Sequence, residues 1–99
     1  MLKMDLEYYH NILFVNLNGS LNKKYTYEIN NYIVPILIKH NIKNIILNLE
    51  CLNDIDEYGI YSISNLKTTM NRLKGRMYIK ISNVIIRKKL RPLNIPLLK

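Results

Sequence analysis

The chain has a single cysteine, Cys51, so it can form no internal disulfide and no cysteine-based zinc cage. Its two histidines, His10 and His40, fall at a turn and at the end of a helical stretch, with no metal-ligand spacing. Three glycines and three prolines are too few for a Gly-rich phosphate loop, a flexible linker or a low-complexity segment. No run approaches the roughly 18 apolar residues of a membrane span, and the richest stretch, Tyr32–Ile38, is far too short. The start, Met1-Leu2-Lys3-Met4-Asp5, holds no apolar signal core, so the expected location is the cytoplasm. Acidic residues are scarce as well. Seven Asp and Glu stand against fifteen Lys and Arg, a formal charge of +8. That balance favours an acidic partner, nucleic acid or an anionic membrane surface, although a lysine-solubilised surface has the same signature. Asp54, Asp56 and Glu57 cluster without a nucleophile or histidine nearby. No catalytic residue, cofactor or metal site is therefore expected.

What is present is an ordinary globular composition, 48% hydrophobic, in 99 residues. This fits one domain over residues 1–99, large enough to bury a core. Leu6–His10 and Ile12–Leu17 read as two short strands around a His10-Asn11 turn, with Gly19 as a later turn position. Asn22 to His40 is helical in pattern, with Tyr25, Ile29, Ile33 and either Ile36 or Leu37 on one face. Pro35 interrupts it, which predicts a kink near Asn31–Val34 or two short helices. Tyr25, Tyr27 and Tyr32 read as packing or edge residues and not as a stacking platform for bases. Ile45–Leu49 reads as a strand buried on both faces, which then breaks into Asn53, Asp54 and Asp56. From Ile60 the spacing turns helical through Ile63, Leu66, Met70 and Leu73. Gly75 is placed as a left-handed helix cap, and Met77–Ile81 as a fourth strand. Ser82-Asn83 should start a last helix over Val84–Leu90, and Pro92 and Pro96 end regular structure. Ile95–Leu98 is expected to tuck against the sheet. The order strand–strand–helix–strand–helix–strand–helix gives an α/β layer: a mixed sheet of about four strands, helices mainly on one face, with right-handed crossovers.

Three segments carry a family resemblance. Ile45-Ile46-Leu47-Asn48-Leu49 followed by Asp56-Glu57-Tyr58-Gly59-Ile60 resembles the core of the bacterial anti-sigma-factor antagonist family, the STAS domain. There a strand reading roughly IVLDL leads to Asp-Ser-Ser-Gly-Leu at a helix start. Leu17-Asn18-Gly19-Ser20-Leu21-Asn22 resembles the family's L-x-G-x-L-D hairpin exit. Leu73-Lys74-Gly75-Arg76-Met77-Tyr78-Ile79 resembles its turn into the fourth strand. The order and approximate spacing agree over most of the chain.

The resemblance implies a STAS-like fold and a non-enzymatic, protein-binding role in partner-switching control of transcription. Its expected partner is an anti-sigma factor that is also a serine kinase, or a related ATPase. In that family the kinase phosphorylates the first Ser of the motif. Here Glu57-Tyr58 replaces Ser-Ser, so a permanent carboxylate stands at the phospho-switch position, and the hairpin-exit Asp is Asn22. A carboxylate carries about one charge where phosphoserine carries ~1.5 to 2, so the protein would be either a scaffold that cannot be switched off or a permanently phosphorylated-like form. The chain also stops soon after its short basic helix, so the family's closing elements look clipped. The expected docking surface is the loop after Gly19 with the helix start, comprising Ser20, Asn22, Asp56, Glu57, Tyr58, Gly59, Tyr61 and Ser62. A helix start suits this role, because its free N–H groups and dipole attract anions; acidic residues there are equally ordinary caps. Two alternatives differ in partner. One is a STAS-like accessory subunit of a transporter ATPase. The other is nucleic-acid binding through Arg87, Lys88, Lys89 and Arg91, although no recognition loop or helix-turn-helix pattern accompanies them.

Overall fold

A computed structural model describes residues 2–98. Four strands form one sheet in the order β1 (Leu2–Tyr9), β2 (Ile12–Leu21), β3 (Asn44–Ile55), β4 (Arg76–Lys80). β1 runs antiparallel to β2, whereas β2, β3 and β4 are mutually parallel. The parallel pairs are joined by α1 (Lys23–Lys39) and α2 (Glu57–Arg72); α3 (Val84–Leu90) follows β4. The expected mixed sheet is present, with its helix-covered face built from Leu13, Val15, Leu17, Ile45, Leu47, Leu49, Met77 and Ile79, all buried. Alternate residues on the same strands, among them Asn16, Glu50 and Lys80, point to solvent. Ile29, Ile33 and Leu37 of α1 and Ile63, Leu66 and Met70 of α2 close the core from the other side.

The hairpin forms where expected. His10 (φ 51°) and Asn11 (φ 66°) are both left-handed, the geometry that matches the twist of the flanking strands. The ribbon is longer than the alternation indicated: β1 begins at Leu2, and β2 continues past Leu17 through Gly19 (φ 115°) to Leu21. No loop follows Gly19. Register shifts at Asn16/Asn18 and Gly19/Ser20 each place an extra residue in β3, so β2 keeps its two-residue phase through to buried Leu21 while the core positions of β3 depart from it. β3 likewise does not break at Asn53 but extends to Ile55, with Leu52 and Ile55 buried.

Pro35 neither breaks α1 nor splits it: the helix is continuous from Lys23 to Lys39. Pro35 lies on the exposed face, as does Asn31, whose carbonyl would have received the missing N–H. Water can satisfy that carbonyl, while Ile29, Ile33 and Leu37 hold the opposite face in the core. At the end of α2 the left-handed residue is Lys74 (φ 58°), not Gly75. Gly75 is required for space. A Cβ there would sit 2.7 Å from the Lys43 carbonyl oxygen, and the Gly75 N–H closes the helix on Met70 O at 2.8 Å. Asn83 caps α3 as expected, its Oδ1 accepting from the N–H groups of Ile85 and Ile86. The tail tucks against β4: Ile95 is buried, and Ile79 pairs with Leu97 in a parallel bridge.

Candidate functional site

The parallel strands β2 and β3 end together, with Ser20 opposite Asp54 and Leu21 opposite Ile55. Each then passes into a helix through a single residue, Asn22 into α1 and Asp56 into α2. Two helix N-termini therefore open side by side at one edge of the molecule. Asn22 Oδ1 accepts from Lys24 N at 3.0 Å and caps α1. Asp56 does more than cap its own helix. Its Oδ1 accepts from Gly59 N at 2.8 Å, and its Oδ2 accepts from Lys23 N, the first residue of α1, at 3.1 Å. The Asp56 N–H in turn donates to Leu21 O at 3.2 Å. One carboxylate thus satisfies orphan donors of both helices and pins them to the ends of both strands.

Gly59 permits this closeness. A Cβ at Gly59 would lie 2.5 Å from the Leu21 carbonyl oxygen and 2.7 Å from Ile55 Cγ1. Ser62 is fully buried one turn further on, with its hydroxyl donating to Gly59 O at 2.7 Å. Gly59 and Ser62 therefore support the site from beneath and present nothing to a partner. Ser20 and Asn22 are half-buried, and Ser20 lies in strand β2, not in a loop.

The exposed members are Glu57, Tyr58 and Tyr61. Glu57 is the first residue of α2, and among the described residues its carboxylate has neither a hydrogen bond nor an ion pair. It stands where the helix dipole favours negative charge. Tyr58, 49% exposed, carries the Lys23 ammonium 5.2 Å from its ring centroid, a cation–π distance. Lys23 is the site residue that the sequence reading did not include. Its signal was available: α1 opens on Lys23-Lys24 with no acid in its first turn, against the dipole, which implies a compensating carboxylate from elsewhere. That carboxylate is Asp56.

Of the basic residues of the last helix, Lys89 is set apart from the others. Lys89 Nζ lies 3.7 Å from Asp54 Oδ1 and donates to Ile55 O at 3.2 Å, so it ties α3 to the end of β3. Arg87 and Arg91 turn toward a different groove, floored by Leu90, Ile95 and Leu97. Lys88 is exposed between them. Among the described residues no cluster of His, Cys, Asp or Glu could hold a metal, and no helix is long and apolar enough to cross a membrane.

The fold matches solved structures nearly end to end. The anti-sigma factor antagonist SpoIIAA in its unphosphorylated form aligns with a TM-score of 0.84 at 18% identity, over 98% of this chain and 88% of that one. SpoIIAA of Bacillus in its phosphorylated form gives 0.79 at 19% identity, over 98% and 92%. An anti-sigma factor antagonist of Mycobacterium paratuberculosis gives 0.83 at 9% identity, over 98% and 85%. No functionally curated protein matches the sequence. The family model for the STAS domain matches residues 3–95, so the chain belongs to the STAS domain family.

Proposed function

We propose that this protein is a non-enzymatic, cytoplasmic interaction module, folded as one unit over residues 1–99, that acts as an anti-sigma factor antagonist in partner switching. Its partner would be an anti-sigma factor with serine-kinase character or a related ATPase. The observation that carries this reading is the paired helix start at Asn22 and Asp56, where Glu57, Tyr58 and Tyr61 stand exposed on a rigid support. Exposed side chains over a pinned backbone suit protein recognition, because little backbone ordering entropy is lost on docking. Solved antagonists of the same fold include a phosphorylated and an unphosphorylated form. With Glu57 at the switch position, this chain would carry a fixed charge in place of a reversible one.

The alternatives keep a weaker hold. A transporter ATPase could use the same docking edge. Nucleic-acid binding through α3 loses force because Lys89 is engaged with Asp54, which leaves only Arg87, Lys88 and Arg91 of the four expected cations without a carboxylate partner among the described residues.

The test is affinity capture from the native cytoplasm with wild type and Glu57→Lys, read by mass spectrometry. The expected result is an anti-sigma kinase or ATPase recovered by wild type and lost on charge reversal. Recovery of nucleic acid alone, unchanged by the substitution, would refute the proposal. So would a Glu57→Ser variant that a co-encoded kinase leaves unphosphorylated and whose partner affinity equals wild type.

A further inference from the structure

The helices cover one face of the sheet; the other face carries an ordered pattern. Register places Glu7, Phe14, Ile46 and Tyr78 in one row across β1 to β4. The next row is Asp5, Asn16, Asn48 and Lys80. Arg76 lies one step further along β4 on the opposite side of the apolar row. Phe14, Ile46 and Tyr78 are half-exposed, and Asp5, Glu7, Arg76 and Lys80 are exposed. None of these four charges has an ion-pair partner among the described residues. The open face therefore has an apolar row, a β1 margin where Asp5 and Glu7 outnumber Lys3, and a β4 margin carrying Arg76 and Lys80, with Glu50 of β3 beyond the Lys80 row. In a chain with only seven acids, two of them share this one margin.

We infer that the open sheet face is a self-complementary surface whose occupant is a second copy of this chain, packed face to face about a two-fold axis parallel to the strands. Such an axis places β1 of one copy over β4 of the other and β2 over β3, leaving each row opposite itself. Asp5 then faces Lys80 of the second copy, and Lys80 faces its Asp5. Phe14 packs on Ile46 in the same way. Glu7 faces Tyr78 with Arg76 about 7 Å along the strand. Lys3, also on this face, falls one row past Lys80, beyond the end of β4, so no cation opposes it directly. Two sheets aligned within about 30° and ~10 Å apart are an ordinary packing. An axis in the sheet plane across the strands would instead set β1 over β1, acid over acid.

Four strands, the edge strand β4 only five residues long, offer a face that would bury on the order of 1,000 Å² in total, the lower limit for a specific interface. The dimer is accordingly weak and its charge pairs decide it. The docking edge at Asp56–Tyr61 lies at the strand ends and stays open in this arrangement.

The experiment is sedimentation equilibrium of wild type, Asp5→Lys and Lys80→Asp, each alone and the two variants mixed, from about 10 μM to about 1 mM. Circular dichroism confirms that the variants fold. Wild type should form a dimer whose association weakens with added salt. Each single reversal places like charges opposite one another twice and should weaken association at least about tenfold. The equimolar mixture should recover it, because the lysine introduced by Asp5→Lys then faces the aspartate introduced by Lys80→Asp. A mass tag on one variant should show that heterodimer. A wild type that stays monomeric throughout overturns the inference. So does a dimer unaffected by both reversals, as pairing through the free edge of β1 would give, or a mixture of folded variants that fails to associate.

Discussion

If Asp56 joins two helix starts, truncating it should cost more than an ordinary cap, and the excess should be separable. Loss of an N-cap side chain costs about 1 kcal/mol. The second bond, from the carboxylate to Lys23 N, is charge-assisted but partly exposed and should contribute about 1 kcal/mol more. Asp56→Ala should therefore destabilise by about 2 kcal/mol. Asp56→Ser keeps an oxygen for Gly59 N–H but cannot reach α1, so it should cost about 1 kcal/mol. With a urea m-value of about 1 kcal/mol/M for a chain of this size, the midpoints should fall by about 2 M and about 1 M. Amide hydrogen exchange gives an independent reading: Lys23 should lose protection in both variants, Gly59 only in Asp56→Ala. Equal stability of Asp56→Ser and wild type would refute the bridging role, as would full protection of Lys23 in Asp56→Ala.

Gly59→Ala should destabilise by about 3 kcal/mol or prevent folding, because the new methyl meets the Leu21 carbonyl at 2.5 Å and neither backbone can retreat; a thermal melt decides it. Lys74→Gly should stabilise by roughly 0.5–1 kcal/mol in urea titration, since Lys74 holds φ 58° on the surface, where an L side chain is strained. Pro35→Ala should raise the urea midpoint by the equivalent of about 2 kcal/mol: a helical N–H is restored, offset in part by a freer unfolded chain.

The sequence patterns that proved readable are those set by local chemistry. Ile45–Leu49 is the strand expected, paired between two parallel neighbours. It is buried on one face and not on both: Ile45, Leu47 and Leu49 enter the core, while Ile46 and Asn48 lie half-exposed on the open face. The His10-Asn11 turn accepts left-handed geometry through a side-chain preference. The Ile63–Leu66–Met70 spacing identified α2 with no ambiguity of period, and Asn83 capped α3 as placed. What escaped were features that only the assembled sheet creates. Between Leu49, Leu52 and Ile55 the core positions of β3 recur at intervals of three. That is not the alternation of a strand, and bulges produce it. Lys74 was missed for a different reason: glycine next door was needed for clearance against Lys43, so the composition of the turn pointed to the wrong residue. Of the candidate site, the helix start was legible from Asp56-Glu57, whereas Gly59 and Ser62 prove to be its buried support. The bond from Asp56 to Lys23 spans 33 positions and has no local signature.

This division of labour bears on what Glu57 does. Asp56 cannot vary without loosening both helices, so charge at this edge can be altered only at the residues that the fold leaves free, beginning with Glu57. Glu57 has a structural contribution too, since a carboxylate in the first turn stabilises a helix by roughly 0.3–1 kcal/mol, less at high salt. The two roles scale differently. If Glu57 were only a helix-start acid, Glu57→Gln and Glu57→Lys would change stability in small, salt-screened steps and leave partner capture intact in the folded protein. If it stands in for a switched charge, Glu57→Lys would abolish capture at a stability cost near ~1 kcal/mol, far too small to unfold the chain. Measuring capture and unfolding on the same variant separates them, because the fold has already assigned the obligatory capping to Asp56.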